Sequence, residues 1–135
     1  MPAVYLLDTN AISDLMMDQP KMKAKVASQP GRLITSVVAC GEIRYGLERL
    51  PPGKRRDDLK TKADLVLAAV PCEPVPAAAA DIYATTRYAV EGKGLAIDDN
   101  DLWIAATTVA IGAVLVSRDQ DFTQIPGLPL EDWTQ

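Results

Sequence analysis

Histidine is absent from this 135-residue sequence. That removes the Ser-His-Asp and Cys-His mechanisms, the histidine general base and every histidine-ligated zinc site. Cysteine is scarce. Cys40 and Cys72 lie far apart and neither belongs to a Cys-x-x-Cys pair. Two such cysteines suit a reducing compartment, with a single disulfide left open. No apolar run approaches the length of a membrane span, and the N-terminus has no basic region followed by an apolar stretch. The expectation is a soluble cytoplasmic protein without a membrane partner. Low-complexity tracts and repeats are missing too, apart from alanines at 77–80.

What is present is an ordinary globular composition, 48% apolar and 24% charged. The length fits one domain, taken here as residues 1–135. A net charge of −4 speaks at first against nucleic acid. The charge is uneven, however. Residues 98–135 hold seven acids and one base, Arg118, whereas residues 1–97 hold 11 acids and 13 bases.

Val4-Tyr5-Leu6-Leu7 reads as a short buried strand. Asp8-Thr9-Asn10 offers caps for a helix to about Met17. Further helices are expected at Lys21–Ser28, Val37–Leu50 (capped by Ser36), Lys54–Val70, Pro76 to about Glu91, and Asp98 to about Ile111, the last buried nearly all round. Arg32–Thr35 and Pro71–Val75 read as weak extended pieces. Ala113–Ser117 is the clearest strand, and a last short strand falls near Leu130 after the turn at Pro126, Gly127 and Pro129. Strands alternating with helices predict an α/β sandwich around a parallel sheet, with sites beyond the carboxyl ends of the strands.

Two acids, Asp8 and Asp119, follow strands and so fall at that edge. Asp101, at a helix start, and Glu42, early in the helix 37–50, can reach it. On a helical wheel Ala39, Ile43, Gly46 and Leu50 form the core stripe, and Glu42 flanks it. A carboxylate at such a boundary needs a partner, either Arg49 or a metal. Each acid also has a plain structural reading. Asp8 and Asp98 can be helix caps, Asp101 a favourable N3 acid, Asp119 and Asp121 turn residues, and Glu42 half of an ion pair. Four acids meeting at one edge repel each other, and a hard cation such as Mg²⁺ or Mn²⁺ relieves that repulsion. Such an ion also acidifies water and neutralises a phosphoryl oxygen, which is phosphodiester hydrolysis without histidine.

Together the segments resemble the PIN-domain ribonucleases, specifically the VapC-type toxins of toxin–antitoxin pairs. The resemblance rests on Leu6-Leu7-Asp8-Thr9-Asn10, on Gly41-Glu42-Ile43-Arg44-Tyr45-Gly46, on Asn100-Asp101-Leu102-Trp103-Ile104-Ala105-Ala106, on Leu115-Val116-Ser117-Arg118-Asp119-Gln120-Asp121-Phe122 and on the ending Ile125-Pro126-Gly127-Leu128. It spans essentially the whole chain in order and spacing. It implies a three-layer α/β/α sandwich, with Asp8, Glu42, Asp101 and Asp119 as the metal-binding and catalytic acids. Thr9, Asn10 and Ser117 are implied as supporting residues; Ser117 keeps a hydroxyl where many members have Thr. The implied activity is Mg²⁺- or Mn²⁺-dependent cleavage of tRNA, rRNA or mRNA. Implied partners are a VapB-type antitoxin, a second copy in a homodimer, and operator DNA for the assembled complex.

Arg44, Arg49, Lys54, Arg55 and Arg56 are the candidate RNA contacts, with a solvated helix face as the competing reading for the Lys54–Lys62 stretch. Tyr45, Tyr88 and Trp103 can stack bases, core packing being the competing role for Trp103. Ile12, Leu15, Met16 and Met17 can line an antitoxin groove or simply be core. Two other functions compete: an inactive PIN-type scaffold, and a metal-dependent phosphatase, against which stands the absence of an Asp-x-Asp-x-Thr motif.

Overall fold

A computed structural model describes residues 2–135. Its strands are β1 (Val4–Leu7), β2 (Arg32–Ser36), β3 (Cys72–Glu73), β4 (Val114–Val116) and β5 (Leu130–Glu131). Its helices are α1 (Thr9–Met16), α2 (Pro20–Ser28), α3 (Val37–Glu48), α4 (Lys54–Ala69), α5 (Ala79–Gly92) and α6 (Asp99–Ala110), with a 3-10 turn at Gln120–Gln124. All strand pairs are parallel, in the order β3-β2-β1-β4-β5. The chain thus builds outward from β1 in both directions, and the order reverses between β1 and β4. That reversal is where ligand sites form in open α/β sheets.

The alternation of Leu6 with Leu7 and of Leu115 with Val116 divides the interior. Leu6 and Leu115 face a core with Val90, Leu102, Ile104 and Phe122. Leu7 and Val116 face the other core, with Ile12, Met22, Ile43 and Trp133. Helices on both faces make the three-layer α/β/α sandwich expected from the sequence.

Several details depart from the sequence reading. The piece at Pro71–Val75 forms a strand only at Cys72 and Glu73, with Pro71 O accepting from Thr35 N at 2.9 Å, because its prolines cannot donate to a ladder. The helix expected from Pro76 starts at Ala79, after a turn in which Ala79 N donates to Pro76 O. Asp119 and Asp121, offered as turn residues, do fall in a turn, the 3-10 turn at Gln120–Gln124 that Asp119 caps. On α3 the buried row is Ala39, Ile43 and Leu47, with Gly46 exposed and Leu50 beyond the helix, so the stripe continues by four residues rather than three. On α6, Val109 and the following Ile111 are exposed, so burial ends near Thr108. Cys72 on the edge strand comes next to Cys40 of α3. Both thiols are free and half-buried, and burial, with Cys40 adjacent, pushes Cys72 up to about 12.

Candidate active site

The site grows from the carboxyl ends of β1 and β4. Leu7 lies beside Val116 in the ladder, and the Asp8 amide donates to Val116 O at 3.1 Å. Asp8 is only 2% exposed. Its Oδ1 caps α1 by accepting from Ala11 N at 2.8 Å, and its Oδ2 accepts from the Ser117 hydroxyl at 2.5 Å. One carboxylate therefore serves both the helix and the site. Ser117 Oγ in turn accepts from Asp119 N at 3.0 Å, and Asp119 Oδ1 accepts from Asp121 N at 2.9 Å. The hydroxyl is the hinge that sets Asp119 beside Asp8.

Glu42 comes from the second turn of α3. Its partner is Thr9, whose hydroxyl donates to Oε1 at 2.6 Å, and not Arg49, whose guanidinium sits 5.7 Å from the Tyr45 ring centroid. A helical wheel shows which residues share a face, but not which neighbouring helix meets that face. Here the neighbour is α1. Asn10, also half-buried on α1, makes no side-chain hydrogen bond among the described residues.

Asp101 sits at N3 of α6, three residues after Asp98, which caps the helix by accepting from Asn100 N at 2.9 Å. Asp101 is half-buried and accepts no hydrogen bond among the described residues. Burial pushes its carboxyl up to about 7, and the charges of Asp98, Asp119, Glu42 and Asp8 push the same way. Burial also pushes Asp8 up to about 6; Asp119 and Asp14 add to this, while the Ser117 and Ala11 hydrogen bonds oppose it. Neither Asp8 nor Asp101 belongs to an ion pair among the described residues.

This donor set fits a hard divalent cation. It is all oxygen, its members repel each other, and one half-buried carboxylate lacks a partner. Among the described residues no three acidic or thiol groups form a ready-made ligand cluster. Mg²⁺ in general is held by one or two carboxylates plus waters and substrate oxygens rather than by a full protein cage.

Two side chains that the sequence reading left unassigned join the rim. Arg118 Nε donates to Asp14 Oδ2 of α1 at 3.0 Å. The available signal was that Arg118 is the lone base of the acidic C-terminal stretch.

The candidate RNA contacts lie farther out. A hollow lined by Thr9, Met17, Glu42 and Leu59, among others, shares Met17 and Leu59 with a second hollow lined by Lys54, Arg55 and Lys62. Lys54 pairs with Asp58 at 2.9 Å, Arg56 with Glu48 at 3.2 Å and Arg44 with Asp64 at 2.7 Å. Arg55 is exposed and has no acid partner among the described residues. Tyr45 and Tyr88 are exposed; Trp103 stacks on Tyr83 with ring centroids 3.8 Å apart. Of the proposed groove residues, Ile12 and Met16 are buried in the core, Leu15 is half-buried and Met17 is exposed.

The PIN domain family matches residues 5–128, and the chain belongs to that family. Its relatives there include ribonuclease VapC2 of Rickettsia felis, 28% identical over 134 residues that cover 96% of this chain and 98% of that protein. Ribonuclease VapC1 of Haemophilus influenzae strain R2866 is 31% identical over 139 residues, covering 98% and 99%. Among solved structures, VapBC2 from Rickettsia felis bound to a DNA fragment from their promoter is similar with a TM-score of 0.83 at 27% identity, covering 96% of this chain and 98% of that one. VapBC-1 from nontypeable Haemophilus influenzae gives a TM-score of 0.85 at 28% identity, covering 98% and 99%.

Proposed function

We propose that this chain is a divalent-metal-dependent endoribonuclease, the toxin of a toxin–antitoxin pair, acting in the cytoplasm as a single domain. The ribonuclease names of its relatives and the complexes formed by its structural neighbours support this. The observation that carries it is the pair Asp8 and Asp101, two carboxylates with raised pKa values and no ion-pair partner where the strand order reverses.

In this reading Asp8 and Asp101 hold Mg²⁺ or Mn²⁺, with Glu42 and Asp119 completing the set directly or through water. The ion supplies charge neutralisation at the phosphoryl group and acidification of water. The chain supplies the rest. Ala11 N and Ser117 Oγ fix both oxygens of Asp8, so it meets its ligand without a rotamer search. Thr9 does the same for Glu42. Asp101 accepts no hydrogen bond among the described residues, so its carboxylate has no protein partner to give up when it takes the ion. Substrates are tRNA, rRNA or mRNA. A VapB-type antitoxin covers the site, two copies form a homodimer, and the complex occupies operator DNA.

Asp8→Asn and Asp101→Asn keep the shapes and remove the charges. Each should lose cleavage of cellular RNA by at least about 100-fold, the scale of removing one electrostatic group from a reaction centre, while circular dichroism stays unchanged. Undiminished cleavage by both purified variants overturns the assignment. Wild-type protein that neither binds Mn²⁺ nor cuts RNA points to the scaffold, and a burst of phosphorylated Asp8 to the phosphatase.

A further inference from the structure

Arg118 stands between two site residues, Ser117 and Asp119, in the loop that leaves β4. Its side chain turns towards α1, where Asp14 anchors it. The anchor uses Nε alone. The guanidinium carries five N–H donors in a planar fork, so the Nη1 and Nη2 edge remains open. The side chain is 49% exposed, whereas Asp14 is only 15% exposed. A partly buried acid thus holds the base of an arginine that is half exposed at the rim of the acidic site, with Asp132 also among its charged neighbours.

The surroundings make this arginine unusual. Arg44, Lys54 and Arg56 are each drawn to acids outside the site, and Arg49 lies over Tyr45. Arg118 is held beside the Asp8–Ser117–Asp119 chain, and both Asp8 and Asp119 are among its electrostatic neighbours. The ion offsets part of the four acids' repulsion towards a phosphodiester, and a positive side chain at the rim adds to that. Arginine is the side chain best matched to two oxygens of one phosphate.

The geometry points to Arg118 as the residue that binds the substrate's phosphate beside the reacting centre, with Asp14 as the positioning residue that aims it. The assignment rests on the ribonuclease reading above and adds to it the group that recognises the phosphate. A purely structural Arg118–Asp14 pair, tying α1 to the β4 loop, is the competing account, and the two differ in the sign of one effect. Removing a positive charge at this rim leaves Mn²⁺ binding unchanged or tighter while weakening RNA. Loss of a structural tie weakens both.

The test uses purified wild type, Arg118→Ala, Arg118→Gln and Asp14→Asn. Three quantities are read: anisotropy of a labelled single-stranded RNA in EDTA across a salt series, calorimetric Mn²⁺ binding, and steady-state cleavage of an RNA that the wild type cuts. Arg118→Ala should bind RNA about 10–100-fold more weakly, as expected for a lost hydrogen-bonded charge contact, with the salt slope reduced by about 0.7–1. Its Mn²⁺ affinity should not fall. Arg118→Gln still donates to Asp14 and should show the same RNA defect, which keeps the test decisive if the alanine variant unfolds. Asp14→Asn keeps the cation, so its RNA affinity and salt slope should stay near wild type while kcat drops. RNA affinity, salt slope and KM of the glutamine variant all within twofold of wild type overturn the assignment alone, as does parallel weakening of Mn²⁺ and RNA. Wild-type protein that cleaves no cellular RNA overturns the ribonuclease reading and this assignment with it.

Discussion

The Ser117 hydroxyl donates to Asp8 Oδ2 across 2.5 Å, joining residues 109 positions apart in the sequence. Ser117 is 3% exposed, so this bond is made away from bulk water, where a hydrogen bond to a charged group contributes about 1.5–3 kcal/mol. It favours the ionised form of Asp8 and opposes the effect of burial. Ser117→Ala should therefore raise the Asp8 pKa further and weaken Mn²⁺ binding about 10–100-fold at pH 7, on that energy scale. Ser117→Thr keeps the hydroxyl and should retain most of the affinity. Calorimetric Mn²⁺ titration of both variants checks this; equal affinities would show that the hydroxyl does not prepare Asp8.

A pH dependence follows from the two raised carboxyls. The folded chain holds protons on Asp8 up to about 6 and on Asp101 up to about 7, against 3.8 for an unperturbed Asp. Between pH 4 and pH 7 the folded state thus binds more protons than the unfolded state, and stability from these groups falls as pH rises. It is fully present below about 4 and lost once pH passes 7. Asp64 and Asp132, whose pKa values are lowered, push the other way, because their contribution is lost on acidification. Comparison with Asp8→Asn cancels them. Asparagine still caps α1, so in EDTA the variant should gain up to about 3 kcal/mol on wild type between pH 4 and pH 7.5. Mn²⁺ at pH 7.5 should restore the wild type, and its affinity should fall as pH drops towards 6. Denaturant melts across pH, with and without Mn²⁺, read both. A variant advantage that does not grow with pH would refute the account.

The parts of this site that were legible in the sequence are those fixed by single elements. Asp8 follows an apolar strand and Asp98 precedes an apolar helix, so their edge positions came from local pattern alone. The pairings between elements were not legible. Glu42 turned to Thr9 instead of Arg49 because α1 packs beside α3, which no helical wheel contains. Arg118 and Asp14 lie 104 residues apart and meet only because β1 and β4 are neighbours in the sheet. The α3 stripe was assigned to Gly46, whereas Leu47 fills the core, since periodicity does not choose between steps of three and four.

Thr9 and Glu42 can be separated by substitution. Glu42→Gln retains an oxygen that accepts from Thr9 and loses the charge, so the α1–α3 tie survives. Its melting temperature should stay within about 2 °C of wild type, while cleavage falls at least about tenfold. Thr9→Val removes the donor and leaves the carboxylate, costing stability on the order of 1 kcal/mol. Thermal melts alongside cleavage assays distinguish the two. A Glu42→Gln variant with full activity would place Glu42 in the fold and outside the chemistry.

Among the basic residues near the start of α4, the ion pairs sort the candidates. Lys54 and Arg56 already face acids, and exposed pairs of this kind are worth little to stability. Arg55 has no acid partner among the described residues and borders the hollow that continues through Met17 and Leu59 towards Glu42. Arg55→Ala should therefore lower RNA affinity severalfold, reduce the salt slope by about 0.7 for a single-stranded substrate, and leave the melting temperature unchanged. Arg44→Ala breaks an exposed 2.7 Å pair with Asp64, so it should leave both the melting temperature and RNA affinity near wild type. Helix α4 is held by packing, with Ala63 fully buried and Leu59, Val66 and Leu67 set against the core around Leu7. Hydrogen exchange over residues 54–69 should stay unchanged in both variants. RNA affinity lost in Arg44→Ala and kept in Arg55→Ala would assign the substrate contact to Arg44 instead.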